Sequence, residues 1–250
     1  MIDVKEIHRY PVKGLSVEKL PFVVLTPGQS IEGDRAFAFA RASAPFDPAS
    51  PKHLPKANFL MLMRDEELAR LKTSYDPGTR KLTLKEGGVT VIDGVLGHPA
   101  DSRRLENFFQ EFLDLADRPR FVEAPGHMFS DRAEKVISIL NLASVRELGS
   151  RIGAAVDPVR FRANLLIDGL PEWEEFTWPG RHIKIGGATL EVIDPIRRCA
   201  ATCVNPATAE RDLKIPTFLM ESYGHMNTGI YARVIGGGEI AVGDEVSVQS

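Results

Sequence analysis

The chain alternates between apolar and polar positions with a period of two in many short runs. Lys81-Leu82-Thr83-Leu84-Lys85 alternates, meets Glu86-Gly87-Gly88, and resumes as Val89-Thr90-Val91, which predicts a hairpin. His182-Ile183-Lys184-Ile185, Gly186-Gly187 and Ala188-Thr189-Leu190-Glu191-Val192 predict a second. The C-terminal stretch has the same character, with Ile230–Val234, a turn at Gly236-Gly237-Gly238, then Ile240–Val242, Gly243-Asp244 and Val246–Val248. Further strands are predicted near 2–10, 17–25 and 35–41, and Leu165-Leu166-Ile167 reads as an apolar strand.

Helical periodicity is rarer. Leu105, Phe108, Phe109, Phe112 and Leu113 fall on one helix face, with Asp101 or Ser102 as cap. Ser144-Val145-Arg146-Glu147 has the pattern of a capping box, and Gly153 a natural stop. A short helix is predicted over Asp65–Leu71. Many short strands, Gly turns and few helices predict a mostly β fold with a few helices, α+β in class, built as barrel or sandwich. A boundary is placed near Asp117-Arg118-Pro119, dividing residues 1–118 from 119–250.

Composition narrows the function classes. With 250 residues, 43% hydrophobic and 26% charged, the chain can bury a full core. A net charge of −3 argues against a whole-protein field for nucleic acid, although 31 Lys and Arg leave room for a local basic pocket. The N-terminal Met1-Ile2-Asp3-Val4-Lys5-Glu6 is unlike a signal peptide, and no apolar run nears the ~18 residues of a membrane span. The expectation is a cytoplasmic protein that binds neither membrane nor nucleic acid.

The two cysteines, Cys199 and Cys203, are too few for a disulfide scaffold, a four-thiolate iron–sulfur cluster or a four-cysteine zinc site. Arg197 and Arg198 precede Cys199, and adjacent cations favour the thiolate, the form that binds soft or redox metals. Cys203 adjoins no charge and reads as structural. A zinc site using both cysteines with histidines, or a nucleophilic pair of cysteine with His182 or His225, stays open at this level. Other cations stand at strand ends and turns: Lys13 in Tyr10-Pro11-Val12-Lys13-Gly14, Arg35 after Gly33-Asp34, and Arg160 and Arg162 in Arg160-Phe161-Arg162-Ala163-Asn164. Converging, they would form an anion site, and the start of the Ser144 helix offers free N–H groups. Neither GxGxxG nor GxxxxGK[ST] occurs. Pro171–Trp178, with Trp173 and Trp178, reads as a loop pinned by core aromatics or, second, as a cleft lining.

In this order, Tyr10-Pro11-Val12-Lys13-Gly14, Gly33-Asp34-Arg35, Arg160–Asn164, Arg198-Cys199, Asn205-Pro206-Ala207-Thr208 and Gly243-Asp244-Glu245-Val246 resemble the MOSC family. The likeness is to its two-part members, which include the mitochondrial amidoxime-reducing component and bacterial relatives. It implies a small N-terminal β-barrel-like domain over 1–118 and a MOSC β-barrel domain over 119–250, with Lys13 and Arg35 reaching the cofactor pocket. It implies molybdenum bound as Mo-molybdopterin, with Cys199 the catalytic residue and metal ligand. Lys13, Arg35, Arg162 and Arg198 would bind the pterin and its phosphate, joined by Gly14, Arg197 and Asn164. Asn141 and Ser144 fall where the family's cofactor-binding loop and helix start stand.

The implied activity is a molybdenum-dependent oxidoreductase that reduces N-hydroxylated or related N- or S-oxide small-molecule substrates. Electrons would come from a separate ferredoxin-like or flavin protein. The chain is expected to have no iron–sulfur cluster of its own and no pyridoxal phosphate. Two alternatives are a sulfur carrier or transferase using a Cys199 persulfide, and a non-catalytic carrier of the cofactor. The sequence departs from the family at Gly14, where Ser is common, at Cys203, where Thr is usual, and at Ala209, where Gly often follows the Thr. Ala takes a positive φ less cheaply than Gly.

Overall fold

Alternation and burial agree strand by strand in the computed structural model, which describes residues 1–249. In chain order the first strands are β1 (Asp3–Arg9), β2 (Glu18–Leu20), β3 (Phe22–Leu25) and β4 (Phe37–Ala40). A three-stranded antiparallel sheet follows: β5 (Lys72–Asp76), β6 (Lys81–Glu86) and β7 (Val89–Val95). Then come helix α1 (Pro99–Phe112), β8 (Arg120–Glu123), β9 (Ile137–Asn141), α2 (Leu142–Ile152) and β10 (Leu165–Asp168). The chain continues with β11 (His182–Ile185), β12 (Ala188–Arg197), α3 (Ile215–Tyr223), β13 (Asn227–Gly236), β14 (Gly238–Ala241) and β15 (Val246–Val248). The expected mostly β, α+β class is what the chain adopts.

Among the described residues the main sheet runs β15-β11-β12-β13-β9-β10-β1-β2, curled into a half-barrel. Its β9 and β10 pair in parallel, because α2 supplies the long crossover that parallel neighbours need. Both are buried on two faces. Ile137, Ile139, Leu165 and Ile167 enter the barrel core with Trp178, while Leu140 and Leu166 face α2 and α3 beside Leu148 and Leu219. A second core gathers β4, β6 and α1 around Phe39, Leu82, Leu84, Leu105 and Phe109. Each such side chain contributes about 1.5–3 kcal/mol when buried.

Strands from both sides of residue 118 share sheets. β1 pairs with β10, and β3 pairs with β14. This sharing carries Tyr10–Gly14 from the end of β1 into the C-terminal half.

Local details correct several expectations. α1 begins at Pro99, with the Asp101 carboxylate accepting from the Val95 N–H rather than capping the helix. α2 begins earlier than Ser144: Asn141 is its cap, its Oδ1 accepting from Ala143 N at 3.0 Å, and Ser144 is buried in the first turn. Gly153 does end the helix, at φ 77°. The Asp65–Leu71 helix is a 3₁₀ turn over Glu66–Arg70. The C-terminal run is no simple meander, since β14 leaves β13 for β3 and β15 joins β11. The pattern of apolar positions does not announce β5, β8, β9 or α3. Among the described residues no helix is long and apolar enough to cross a membrane.

Candidate functional site

Three segments bring cations to one cavity. The first is the turn after β1, where Lys13 N donates to Phe37 O at 2.8 Å. The second is Asp34-Arg35, anchored by Arg35 N to Tyr10 O at 2.7 Å and Phe129 N to Arg35 O at 2.8 Å. The third is the 3₁₀ turn Pro158–Phe161, which ends at Arg162. Arg35 and Arg162 both lie in the left-handed region, at φ 49° and 52°. That conformation costs a non-glycine residue about 1–2 kcal/mol, a strain that concentrates at functional sites.

The two arginines share one support. Their guanidinium carbons lie 4.8 Å (Arg35) and 4.2 Å (Arg162) from the centroid of the fully buried Tyr10 ring. Arg35 Nη2 donates to Arg162 O at 2.8 Å, and its Nη1 to Asp34, whose other oxygen accepts from Tyr10 N. Burial lifts the Tyr10 hydroxyl pKa to about 12. Arg162 Nη1 donates to Leu15 O at 2.7 Å. Arg198 is held by carbonyls, with Nε to Thr228 O at 2.8 Å and Nη1 to Phe161 O at 2.9 Å. Neither Arg162 nor Arg198 has a carboxylate partner among the described residues, and burial pulls both down to about 10. Buried cations neutralised only by carbonyls favour an anionic ligand.

Lys13 donates to Phe129 O at 2.9 Å and to Asp131 at 2.6 Å, and Lys56 reaches the other Asp131 oxygen at 3.3 Å. Burial works to raise the Asp131 pKa, but the two lysines outweigh it and hold it at about 2. Lys56 and Cys199 lie on one cavity wall. Cys199 is half-buried at the head of the 3₁₀ turn Ala200–Cys203, which is tied by Thr202 N and Oγ1 to Cys199 O.

These groups line a cavity of about 450 Å³, within the range of small-molecule sites. Its wall carries eight cationic side chains (Lys13, Arg35, Lys56, Arg132, Arg160, Arg162, Arg197 and Arg198) against Asp131 and Asp194. Gly14, Asn164 and Cys199 also line it. Local charge thus inverts the net −3 of the chain. Asn164 is spent on structure: its Oδ1 accepts from Ser138 N and Oγ, and its Nδ2 donates to His8 O.

Asn141 and Ser144 do not line this cavity. Both hydrogen-bond the buried Glu175 instead. Asn141 Nδ2 donates to Glu175 at 2.9 Å, Ser144 Oγ donates to it at 2.9 Å, and Trp173 N donates to Ser144 Oγ at 2.8 Å. Burial raises the Glu175 pKa. Trp178 is core and Trp173 packs on Phe176 and Tyr223, so the Trp stretch is a pinned loop. His182, His225 and Cys203 lie outside the cavity wall, and among the described residues no three His, Cys, Asp or Glu side chains gather to hold a metal. Sequence reading missed Lys56, Asp131, Arg132, Asp194 and Tyr231, which stand in no motif.

Residues 124–247 match the family model described as the MOSC domain. This segment is a MOSC domain. The chain is 38% identical to molybdenum cofactor sulfurase of Drosophila melanogaster over 96 residues, covering 37% of this chain and 12% of that protein. It is 31% identical to mitochondrial amidoxime reducing component 2 of Bos taurus over 122 residues, covering 44% of this chain and 36% of that protein. The chain thus spans well under half the length of either relative. Among solved structures, the YuaD protein from Bacillus subtilis aligns over 100% of this chain and 97% of its own, at TM-score 0.48 and 15% identity. The MOSC segment supplies Cys199, Arg162, Arg198 and Asp131, whereas Lys13, Gly14, Arg35 and Lys56 come from outside it.

Proposed function

We propose that the cavity binds the molybdenum cofactor and that the protein is a molybdenum-dependent oxidoreductase with Cys199 as the metal's thiolate ligand. The observation that carries this reading is one wall holding a thiol beside buried cations that lack carboxylates. A pterin dithiolene with a phosphate matches that donor set. Lys13, Arg35, Arg162 and Arg198 would hold the phosphate and pterin acceptors, and Cys199 the metal. The bound group supplies a redox centre, and the chain orients and tunes it. Met61, Met63 and Met128 form an apolar part of the wall that limits water.

The substrate class this reading favours is N-hydroxylated compounds, or related N- and S-oxides. Support comes from the likeness to the amidoxime reducing component. The chain has two cysteines and neither glycine-rich nucleotide motif, so electrons come from a separate ferredoxin-like or flavin protein. Metal analysis of wild type against Cys199→Ala tests the assignment: molybdenum falls in the variant, and equal loading in both overturns it. A free, half-buried thiol on a cationic wall equally suits a persulfide, which makes sulfur transfer the second reading. It requires one added sulfur on Cys199 after incubation with a cysteine desulfurase.

A further inference from the structure

One segment of the cation cavity's wall is built differently from the rest. Between the buried Phe129 and the buried Val136 the chain runs through residues 130–135, none of them buried. Both ends are fixed: Phe129 N donates to Arg35 O at 2.8 Å, and Val136 O accepts from Ser30 Oγ at 3.0 Å. Between those ends, among the described residues, the main chain bonds only within the segment. Ser130 Oγ donates to Arg132 O at 2.5 Å and accepts from Arg132 N at 3.2 Å. Yet Ser130, Asp131 and Arg132 all line the cavity.

Side chains fasten this segment, and they fasten it to opposite halves of the wall. Asp131 reaches Lys13 at 2.6 Å and Lys56 at 3.3 Å, both in the N-terminal half of the chain. Arg132 Nη1 reaches the two oxygens of Asp194 on β12 at 2.9 and 2.8 Å, and its guanidinium lies 5.0 Å from the Tyr231 ring of β13. Lys13, Lys56, Asp194 and Tyr231 are themselves cavity residues, so residues 130–135 stretch from one half of the wall to the other. The remaining ties are also polar. Glu134 accepts from Arg132 at 2.6 Å and pairs with Arg233 at 3.9 Å, and Lys135 donates to Gln29 at 2.5 Å.

An apolar anchor would hold such a segment at any salt concentration. Ion pairs do not: the Arg132 and Asp194 side chains are 28% and 44% exposed, and exposed pairs are weak and screened. Segments open locally where few side chains are buried and few main-chain bonds are made, and residues 130–135 meet both conditions.

We infer that residues 130–135 form a strap, closed by polar side-chain ties, that lifts between Phe129 and Val136 to admit bulky ligands to the cavity and to Cys199. The Arg132–Asp194 pair is its outer fastening. The strap does not depend on what the cavity binds, so it stands if the molybdenum reading falls.

The test reads the reactivity of Cys199 in the full chain carrying Cys203→Ser, where Cys199 is the one remaining thiol. Two neutral thiol reagents are compared, the small methyl methanethiolsulfonate and the bulky dithiodipyridine. The ratio of their rates cancels changes in the thiolate itself and leaves access. Raising sodium chloride from about 50 mM to about 500 mM increases the bulky-to-small ratio about threefold, as screening loosens the strap. At low salt Asp194→Asn increases the ratio by a similar factor and blunts its response to salt. Arg132→Gln releases the same pair from the other side, and a thermal melt selects whichever variant folds. A ratio unmoved by salt, or unmoved in the folded variant at low salt, overturns the strap.

Discussion

Gly229 sits in β13 at φ 72°, one residue after the carbonyl that holds Arg198. A Cβ there would stand 2.4 Å from Ile139 O on the neighbouring β9 and 3.2 Å from Arg198 Nη2. Gly229→Ala therefore carries two costs. The left-handed backbone costs about 1–2 kcal/mol. The contact with a paired strand's carbonyl cannot be relieved by turning a side chain, and overpacking of that kind costs about 1–3 kcal/mol. The sum is about 3 kcal/mol, which lowers Tm by roughly 6–12 °C in a chain of this size. Gly180→Ala is the matched control: its φ is 82° and nothing lies within 4 Å of the added Cβ, so it meets the backbone cost alone. Urea and thermal unfolding of both variants give the comparison. If Gly229→Ala destabilises no more than Gly180→Ala, the packing of β13 against β9 is not what fixes the Arg198 tether, and the reasoning fails.

Other outcomes follow from the same geometry. Asp131 has a folded pKa of about 2 against an ordinary 3.8, so its stabilisation is present above 3.8 and is lost as pH falls through about 2. The stability gap between wild type and Asp131→Asn, read from urea midpoints, should close across that window, and a constant gap contradicts the ion bridge. Glu175 has a raised pKa, so its contribution is present below the ordinary 4.5 and lost as pH rises through the raised value. Glu175→Gln should gain on wild type as pH climbs above 4.5 in the same assay, and a gain that shrinks with pH refutes it. Arg162→Lys keeps the charge but loses the bond to Leu15 O and the planar stack on Tyr10. Inorganic phosphate should bind it about tenfold more weakly by calorimetry, and unchanged affinity removes Arg162 from the anion site.

The sequence made the strands visible where one face is buried and one wet, as in β6 and β11. It hid β9, Ile137-Ser138-Ile139-Leu140-Asn141, because burial on both faces erases the alternation. Lys13, Arg35, Arg162, Arg198 and Cys199 were legible because each stands in a motif. Lys56 and Asp131 were not, since only the folded chain brings them to the wall that holds Cys199. The Ser144 pattern misled because Asn141, three residues earlier, also caps well, and the buried Ser144 hydroxyl answers Glu175 instead. Ala209 is the reverse case: the sequence marked it as a costly place for a positive φ, and the chain adopts φ 63° there all the same.

The cavity wall runs from Lys13 to Tyr231 in sequence, and long-range pairings such as β1 with β10 and β4 with β8 bring its parts together. A chain emerging from the ribosome N-terminus first holds Lys13, Arg35 and Lys56 long before the thiol and the carbonyls that fix Arg198 exist. The anion site is thus assembled by late, long-range pairing, the slowest class of folding event. Any large ligand of this cavity is loaded onto a finished chain, and no N-terminal fragment can be charged ahead of time.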